Sequence, residues 1–243
     1  MDYASFIEGI DFRFLKPQQP RPKGFRGLAM VLRKAGVHLE VLNTRLPCDQ
    51  KRIRRTLAPV CRVPRMSTFA IGAMIQQGVA RMPDDRVFLN VGVWNGFTFL
   101  SGLAGNAHKH CIGVDLYGGP HAERTQARFL RRFERFRSPN HQFHRMDYKK
   151  YLATVHKEPI GFYVYDGPHS YEDQIEGMRL AEPFVQPGAW ILVDDTNTPW
   201  AHKGTMDFVA QSNHQYKILC DRRTPKGGHP TYWNGVIVLE KVS

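Results

Sequence analysis

The stretch Val87-Phe88-Leu89-Asn90-Val91-Gly92-Val93-Trp94-Asn95-Gly96 decides the fold. A short apolar run passes into a turn punctuated by two glycines, and a helical pattern starts at Phe97. Glycine lets the backbone turn sharply and come close to a neighbour or a ligand. In an open parallel sheet this first strand-to-helix turn is where ligands bind. The spacing is Gly-x-x-x-Gly, not the Gly-x-Gly-x-x-Gly of the dinucleotide fingerprint, so the turn suits either tight packing or a ligand.

Downstream, apolar runs alternate with helical patterns. The runs are Val87–Val93, Cys111–Val114, Gln142–His144, Gly161–Tyr165 and Ala189–Val193. Helices are expected near Thr98–Ala104, Arg124–Phe136, Tyr148–Thr154 and Tyr171–Val185. Strand, helix, strand, helix is the pattern of an α/β, doubly wound, Rossmann-like parallel sheet. Two last runs, Tyr216–Leu219 and Gly235–Leu239, are expected to pair as an antiparallel C-terminal hairpin at the sheet edge.

Acidic residues close several of these runs. Asp115 ends Ile112-Gly113-Val114, about twenty residues past the glycine turn, where a carboxylate typically grips a ribose diol, the alternative being a helix cap or a loop charge. A carboxylate only accepts hydrogen bonds and so suits two hydroxyl donors. Asp147 follows the next run and could meet an adenine amino group or cap the helix after Tyr148. Asp166 ends Phe162-Tyr163-Val164-Tyr165, and Asp194 and Asp195 end Trp190–Val193. Adjacent parallel strands end on one edge, so these three carboxylates can converge there, the alternative being that one or two of them cap helices or face solvent. Like charges that close call for a cation or a proton between them. All-oxygen donors point to Mg²⁺ or Ca²⁺, with Mn²⁺ also suited.

With these residues in place, the chain resembles the class I S-adenosylmethionine-dependent methyltransferases. More narrowly, it is similar to the group of macrocin-type and catechol-type O-methyltransferases and cephalosporin-hydroxylase-like proteins. The strings that carry the likeness are Leu89–Gly96, Gly113-Val114-Asp115, Tyr165-Asp166-Gly167-Pro168-His169-Ser170-Tyr171, and Gln186-Pro187-Gly188 before Asp194-Asp195. It spans roughly residues 87–240. The resemblance implies that Gly92, with Trp94 and Gly96 in its turn, holds the methionine part of S-adenosylmethionine. It implies Asp115 at the ribose and Asp147 or its neighbours at the adenine. Asp166, Asp194 and Asp195 would bind Mg²⁺ or Mn²⁺, which in turn binds the substrate oxygens. Two departures stand out. Asn90 replaces a frequent acidic residue, which alters contact to the cofactor's amino group, and Pro168 removes a base or ligand. His169 remains, as a general base beside Asp166 or as a residue that orders the loop.

The whole chain has 243 residues and a net charge of +12. Residues 1–86 hold 16 basic against 7 acidic residues, and residues 87–243 hold 18 against 15. The front part is therefore read as a basic N-terminal helical extension, a lid or oligomerisation arm. It contains the proline-rich Lys16–Pro22, a helical pattern over Leu28–Ala35, the cluster Lys51–Arg55, and a helix over Ser67–Arg81 with Ser67 as its cap. Such a charge suits an anionic partner. Here the expected partner is a small-molecule acceptor, anionic in one version, and a homo-oligomer is consistent with the front part. Nucleic acid is disfavoured, because no base-methylating string or RNA-binding module is present. A nucleic-acid methyltransferase and a non-methylating relative of the fold remain open alternatives. Trp200, His202, Arg222, Arg223, Lys226, His229 and Trp233 are candidates for an acceptor pocket or a solvated loop, and Arg131, Arg132, Arg135 and Arg137 for a solvated helix face. Cys48, Cys61, Cys111 and Cys220 form no C-x-x-C pair, so reduced thiols in a cytoplasmic protein are expected. No basic, apolar leader opens the sequence, and no apolar run reaches the roughly 18–20 residues of a membrane span.

Overall fold

A computed structural model describes residues 1–243, apart from the side chain of Arg26. In chain order the front part runs α1 (Tyr3–Glu8), β1 (Asp11–Phe12), α2 (Phe25–Lys34), α3 (Leu39–Asn43), β2 (Thr44–Arg45), α4 (Gln50–Leu57), a 3-10 turn (Val60–Arg62) and α5 (Phe69–Arg81). The α/β part follows as β3 (Val87–Val91), α6 (Phe97–Leu103), β4 (His110–Val114), α7 (Ala122–Phe136), β5 (His141–His144), α8 (Tyr148–Thr154), β6 (Ile160–Tyr165), α9 (Tyr171–Ala181), β7 (Val185–Asp194), α10 (Pro199–Gln211), β8 (Tyr216–Arg222) and β9 (Val236–Lys241).

Seven strands form one sheet in the order β5-β4-β3-β6-β7-β9-β8. The first five are parallel, and β9 and β8 run antiparallel. The Rossmann-like sheet and its edge hairpin are thus as expected, with β9 seated inside and β8 on the edge. β1 and β2 form a separate two-stranded pair.

The apolar runs are continuous because both sheet faces are covered, and alternate residues feed opposite cores. On β3, Phe88 packs into one core and Val87, Leu89 and Val91 into the other. On β9, Val236 and Val238 face the first core, and Ile237 and Leu239 the second. Helices α8, α9 and α10 cover the second face through Tyr151, Met178 and Phe208. The first face is covered by α6 and α7 together with residues from the front part, including Tyr3, Phe6, Ile53 and the apolar side of α5. Tyr3 packs on Trp190 (centroids 4.5 Å apart) and donates its hydroxyl to Met74 O (3.1 Å). Residues 1–86 thus share a core with the sheet.

Three local expectations need correction. The helix expected over Tyr171–Val185 ends at Ala181, and Val185 already opens β7, so the long apolar pattern conceals a turn. Trp200 and His202 lie on α10, not in a loop; Pro199 at its first turn is the start signal. Thr68, not Ser67, occupies the cap position of α5. Among the described residues, no helix is long and apolar enough to cross a membrane.

Candidate active site

In the strand order, β3 has β4 on one side and β6 on the other, so the chain reverses direction of winding at β3. Ligands of doubly wound sheets sit at such a switch point, outside the carboxyl ends of the strands. Gly92, Asp115, Asp166 and Asp194 all lie at this edge, at or just past the ends of β3, β4, β6 and β7.

Gly92 has φ +80°, and a Cβ there would lie 1.8 Å from Asp166 O. Its turn therefore passes directly against the chain leaving β6, which is why no other residue fits. Gly96 (φ +100°) opens α6 in the left-handed region, with Phe129 packed over it. The turn between them is held from β4. Val93 and Trp94 N–H donate to Asp115 Oδ2 (2.8 and 2.7 Å), and Tyr117 N–H donates to Oδ1 (2.7 Å). Tyr117 Oη in turn donates to Trp94 O (2.6 Å). Asp115 thus fixes the glycine turn from the end of β4. Of roughly four acceptor positions on a carboxylate, three are used and one is left over. Trp94 itself is exposed, with φ +45°.

Asn90 lies buried on β3 below the turn. Its Nδ2 donates to Gly92 O (2.8 Å), and its Oδ1 is buried without a partner. Asp147 accepts from Lys150 N–H (3.0 Å) and so caps α8. Arg132 leaves the expected solvated face of α7 and donates to Asn95 O and Oδ1 (3.0 and 3.1 Å), bracing the turn from the other side. That contact was invisible in a run of similar arginines.

The acidic group is electrostatically close-knit. Asp194 is buried, and burial, then the charges of Asp166 and Asp195, hold its carboxyl well above the usual range. Burial, then the Asp195 charge, raises Asp166 too, against the opposing pull of His169 and of Thr98, whose hydroxyl lies 3.4 Å away. Asp195 leaves the strand in the left-handed region (φ +57°) and meets His169 Nε2 at 3.2 Å. Burial alone would lower the His169 pKa, but the Asp195 hydrogen bond and the charges of Asp195 and Asp166 outweigh it and raise it. His169 Nδ1 is buried without a partner. Ser170 caps α9 by accepting from Asp173 N–H (3.0 Å), which pins the loop that carries His169.

The expected three-carboxylate metal centre is not assembled. Among the described residues, no three His, Cys, Asp or Glu side chains are grouped to hold a metal ion. Asp195 is paired with His169, and burial together with the charges of neighbouring carboxylates raises Asp166 and Asp194, the mark of like charges held close. Of the acceptor candidates, His202 pairs with Asp221 (3.0 Å) and Trp200 is exposed. His229 is fully buried between Thr231 Oγ1 (2.7 Å) and Gln19 O (2.9 Å). Trp233 lines a cavity between α2, the start of α5 and the β8–β9 loop.

This sheet order, with its glycine turn and the carboxylate at the end of β4, is the fold of the class I S-adenosylmethionine-dependent methyltransferases. Residues 89–196 match the family described as a methyltransferase domain. Among solved structures, the chain is similar to cofactor-bound Rv0187 from MTB (TM-score 0.58, 13% identity, covering 92% of this chain and 98% of that one). It is also similar to the O-methyltransferase from Bacillus cereus in complex with SAH (0.52, 13%, 81% and 92%). The O-methyltransferase NovP is a third (0.54, 16%, 70% and 78%). No curated protein sequence matches the chain.

Proposed function

We propose that this protein transfers the methyl group of S-adenosylmethionine to a hydroxyl of a small molecule. The observation that carries the reading is Asp115, which locks the Gly92–Gly96 turn and keeps one acceptor position over for a ribose hydroxyl. The orphaned Asn90 Oδ1 suits a donor, and the ammonium of the cofactor's methionine part is one. Asp147, with one oxygen on α8, would offer its other to the adenine amino group. Gly92, Trp94 and Gly96 would line the methionine end.

S-adenosylmethionine, when bound, supplies a methyl group already activated on a sulfonium. The chain must then position the acceptor and take its proton. Asp195 holds His169 Nε2 as the proton-bearing nitrogen, which leaves Nδ1 with a free lone pair. We assign His169 as the base, with Asp195 as its orienting partner. Asp166, raised by burial and then by the Asp195 charge, stands beside it and adds to the field that favours a proton on His169. The hydroxyl proton displaced in the transfer would end on His169 Nδ1.

The metal-assisted version, with Mg²⁺ or Mn²⁺ on Asp166, Asp194 and Asp195, finds no supporting donor group among the described residues. The test is calorimetry of S-adenosylhomocysteine binding, followed by a methyl-transfer screen of hydroxylated small molecules with and without chelator. Binding with chelator-insensitive turnover supports the proton-transfer reading. Turnover abolished by chelator and restored by Mg²⁺ assigns the carboxylates to a metal. Absence of cofactor binding by the folded chain overturns the methyltransferase reading.

A further inference from the structure

A cavity of about 450 Å³ lies between the front part and the loop joining β8 to β9. Its walls come from segments far apart in sequence: α2, the Arg65–Thr68 approach to α5, and residues 228–233. The front segment is tied across this loop. Arg21 Nη1 donates to Gly228 O (3.0 Å), and Gln19 O contacts His229 Nε2 (2.9 Å). Phe25, Met30 and Trp233 give the cavity an apolar side.

Its other side is cationic. Arg21, Arg33 and Arg65 line it, against one carboxylate, Glu40. Glu40 is bound by the buried Arg65 guanidinium, which also donates to Cys61 O. Arg33 donates to Val63 O (3.2 Å) and otherwise faces Arg65 as a like charge, a repulsion that, after burial, depresses its pKa against the weaker pull of Glu40. The cavity also receives the start of α5, a helix of 13 residues. Thr68 at its cap turns its hydroxyl to Thr231 O (2.6 Å), so α5 gains no side-chain cap. A helix start gathers N–H groups and positive potential, and binds anions. The adjacent Ser67 hydroxyl, only 6% exposed, lines the same cavity and has no hydrogen-bond partner. An uncapped helix start, an orphaned buried hydroxyl and the Arg33 guanidinium, which shares the single carboxylate Glu40 with Arg65, thus meet in one space.

Two contacts link the cavity walls to elements that carry the candidate active site. Arg65 lies over the Phe97 ring (5.1 Å to its centroid), and Phe97 follows Gly96. The loop that carries Trp233 accepts Asn197 N–H at Asn234 O (2.7 Å), two residues beyond Asp195. We propose that this cavity binds the anionic group of the methyl acceptor, a small hydroxylated molecule bearing a carboxylate or phosphate. The anion sits at the start of α5 with Ser67 and Arg33, and the apolar body lies against Trp233 and Phe25. That the guest is the acceptor rests on the methyltransferase reading; that it is an anion rests on the cavity alone.

The test uses the full chain and paired probes: 4-hydroxybenzoate against 4-hydroxybenzamide, and phenyl phosphate against phenol, each titrated by calorimetry. Wild type should bind each anion more tightly than its neutral partner. Ser67→Ala and Arg33→Gln should each weaken the anions about 3- to 10-fold, the scale of one hydrogen bond, and leave S-adenosylhomocysteine affinity unchanged. Ser67→Ala should also keep or raise the melting temperature, because it removes an unsatisfied buried group. Equal affinity for anionic and neutral probes, or anion affinity untouched in both variants, overturns the proposal. S-adenosylhomocysteine binding without anion preference removes the cavity assignment alone. Anion preference without S-adenosylhomocysteine binding removes the methyltransferase reading and leaves the anion site standing.

Discussion

Replacing Asp115 by asparagine tests the centre of the site through stability and binding at once. The carboxylate accepts three backbone N–H bonds, two at Oδ2 and one at Oδ1, all between 2.7 and 2.8 Å. An asparagine has one oxygen. Placed at the Oδ2 position it keeps Val93 and Trp94, but its NH₂ then faces the Tyr117 N–H, donor against donor. Placed the other way it loses two bonds instead of one. A hydrogen bond to a charged group is worth about 1.5–3 kcal/mol, and the surviving bonds fall to about 0.5–1.5 kcal/mol each without the charge. Asp115 is half-buried, so solvent screening puts the sum near the lower end, about 2–3 kcal/mol. For a chain of this size each kcal/mol moves the melting temperature by about 2–4 °C, so calorimetry should show a fall of about 4–12 °C. Affinity for S-adenosylhomocysteine should fall about 10- to 100-fold, because the same carboxylate is assigned to the ribose. A variant that melts within a degree or two of wild type would falsify the role of Asp115 as the lock on the turn. A destabilised variant with unchanged cofactor affinity would keep the lock and remove the ribose assignment.

Gly92→Ala should be worse tolerated. The left-handed backbone alone costs about 1–2 kcal/mol in a non-glycine residue, and the new methyl would stand 1.8 Å from Asp166 O. Chemical denaturation should show a large loss of stability, and wild-type behaviour would mean that β3 and β6 do not approach as described. His169 should titrate above an ordinary histidine in NMR, and Asp195→Asn should move it down, since burial then acts with less opposition. Base-dependent turnover should accordingly rise with pH through the raised value and shift to lower pH in the variant; a titration insensitive to Asp195 removes the pair.

The strands were legible because each covered sheet face demands apolar side chains, and a strand covered on both faces reads as an unbroken run. The Val87–Val91 and Ile160–Tyr165 strands are of this kind. Element ends were less legible. The pattern from Tyr171 to Val185 stays apolar across a turn, since Val185 is as buried on β7 as Met178 is on α9. The positions of Asp115, Asp166 and Asp194 at one edge followed from strand ends alone. Their partners did not, because those depend on backbone direction. Asp195 departs from the strand in the left-handed region and so reaches His169 instead of completing a cluster. Ser67 has the type and place of a cap, yet the helix starts one residue later, which gives that position to Thr68 and leaves the Ser67 hydroxyl unpartnered. No local pattern announces the cavity, whose walls meet only after the sheet has formed.

The basic front part yields the last prediction, since its charge has more than one meaning. A surface that binds a polyanion needs cationic heads free to reach phosphates. Here many guanidinium groups are spent on the fold. Arg54 donates to Val41 O and Thr44 O (2.9 and 3.0 Å), Arg33 to Val63 O (3.2 Å), Arg21 to Gly228 O (3.0 Å) and Arg81 to Gln77 O (3.1 Å). Within the cluster Lys51–Arg55, Ile53 is buried and Arg52 pairs with Asp49 (2.9 Å). The excess of basic residues therefore staples carbonyl groups in a region of short helices and also charges the cavity next to the candidate active site. Binding to single-stranded or structured RNA should then remain non-specific, with a Kd in the range of about 10⁻⁴ to 10⁻⁶ M at physiological salt and no sequence preference. Fluorescence anisotropy over a salt series checks this. Nanomolar binding that persists at physiological salt and discriminates between sequences would overturn the small-molecule reading in favour of a nucleic-acid methyltransferase, because committed arginines could not supply it.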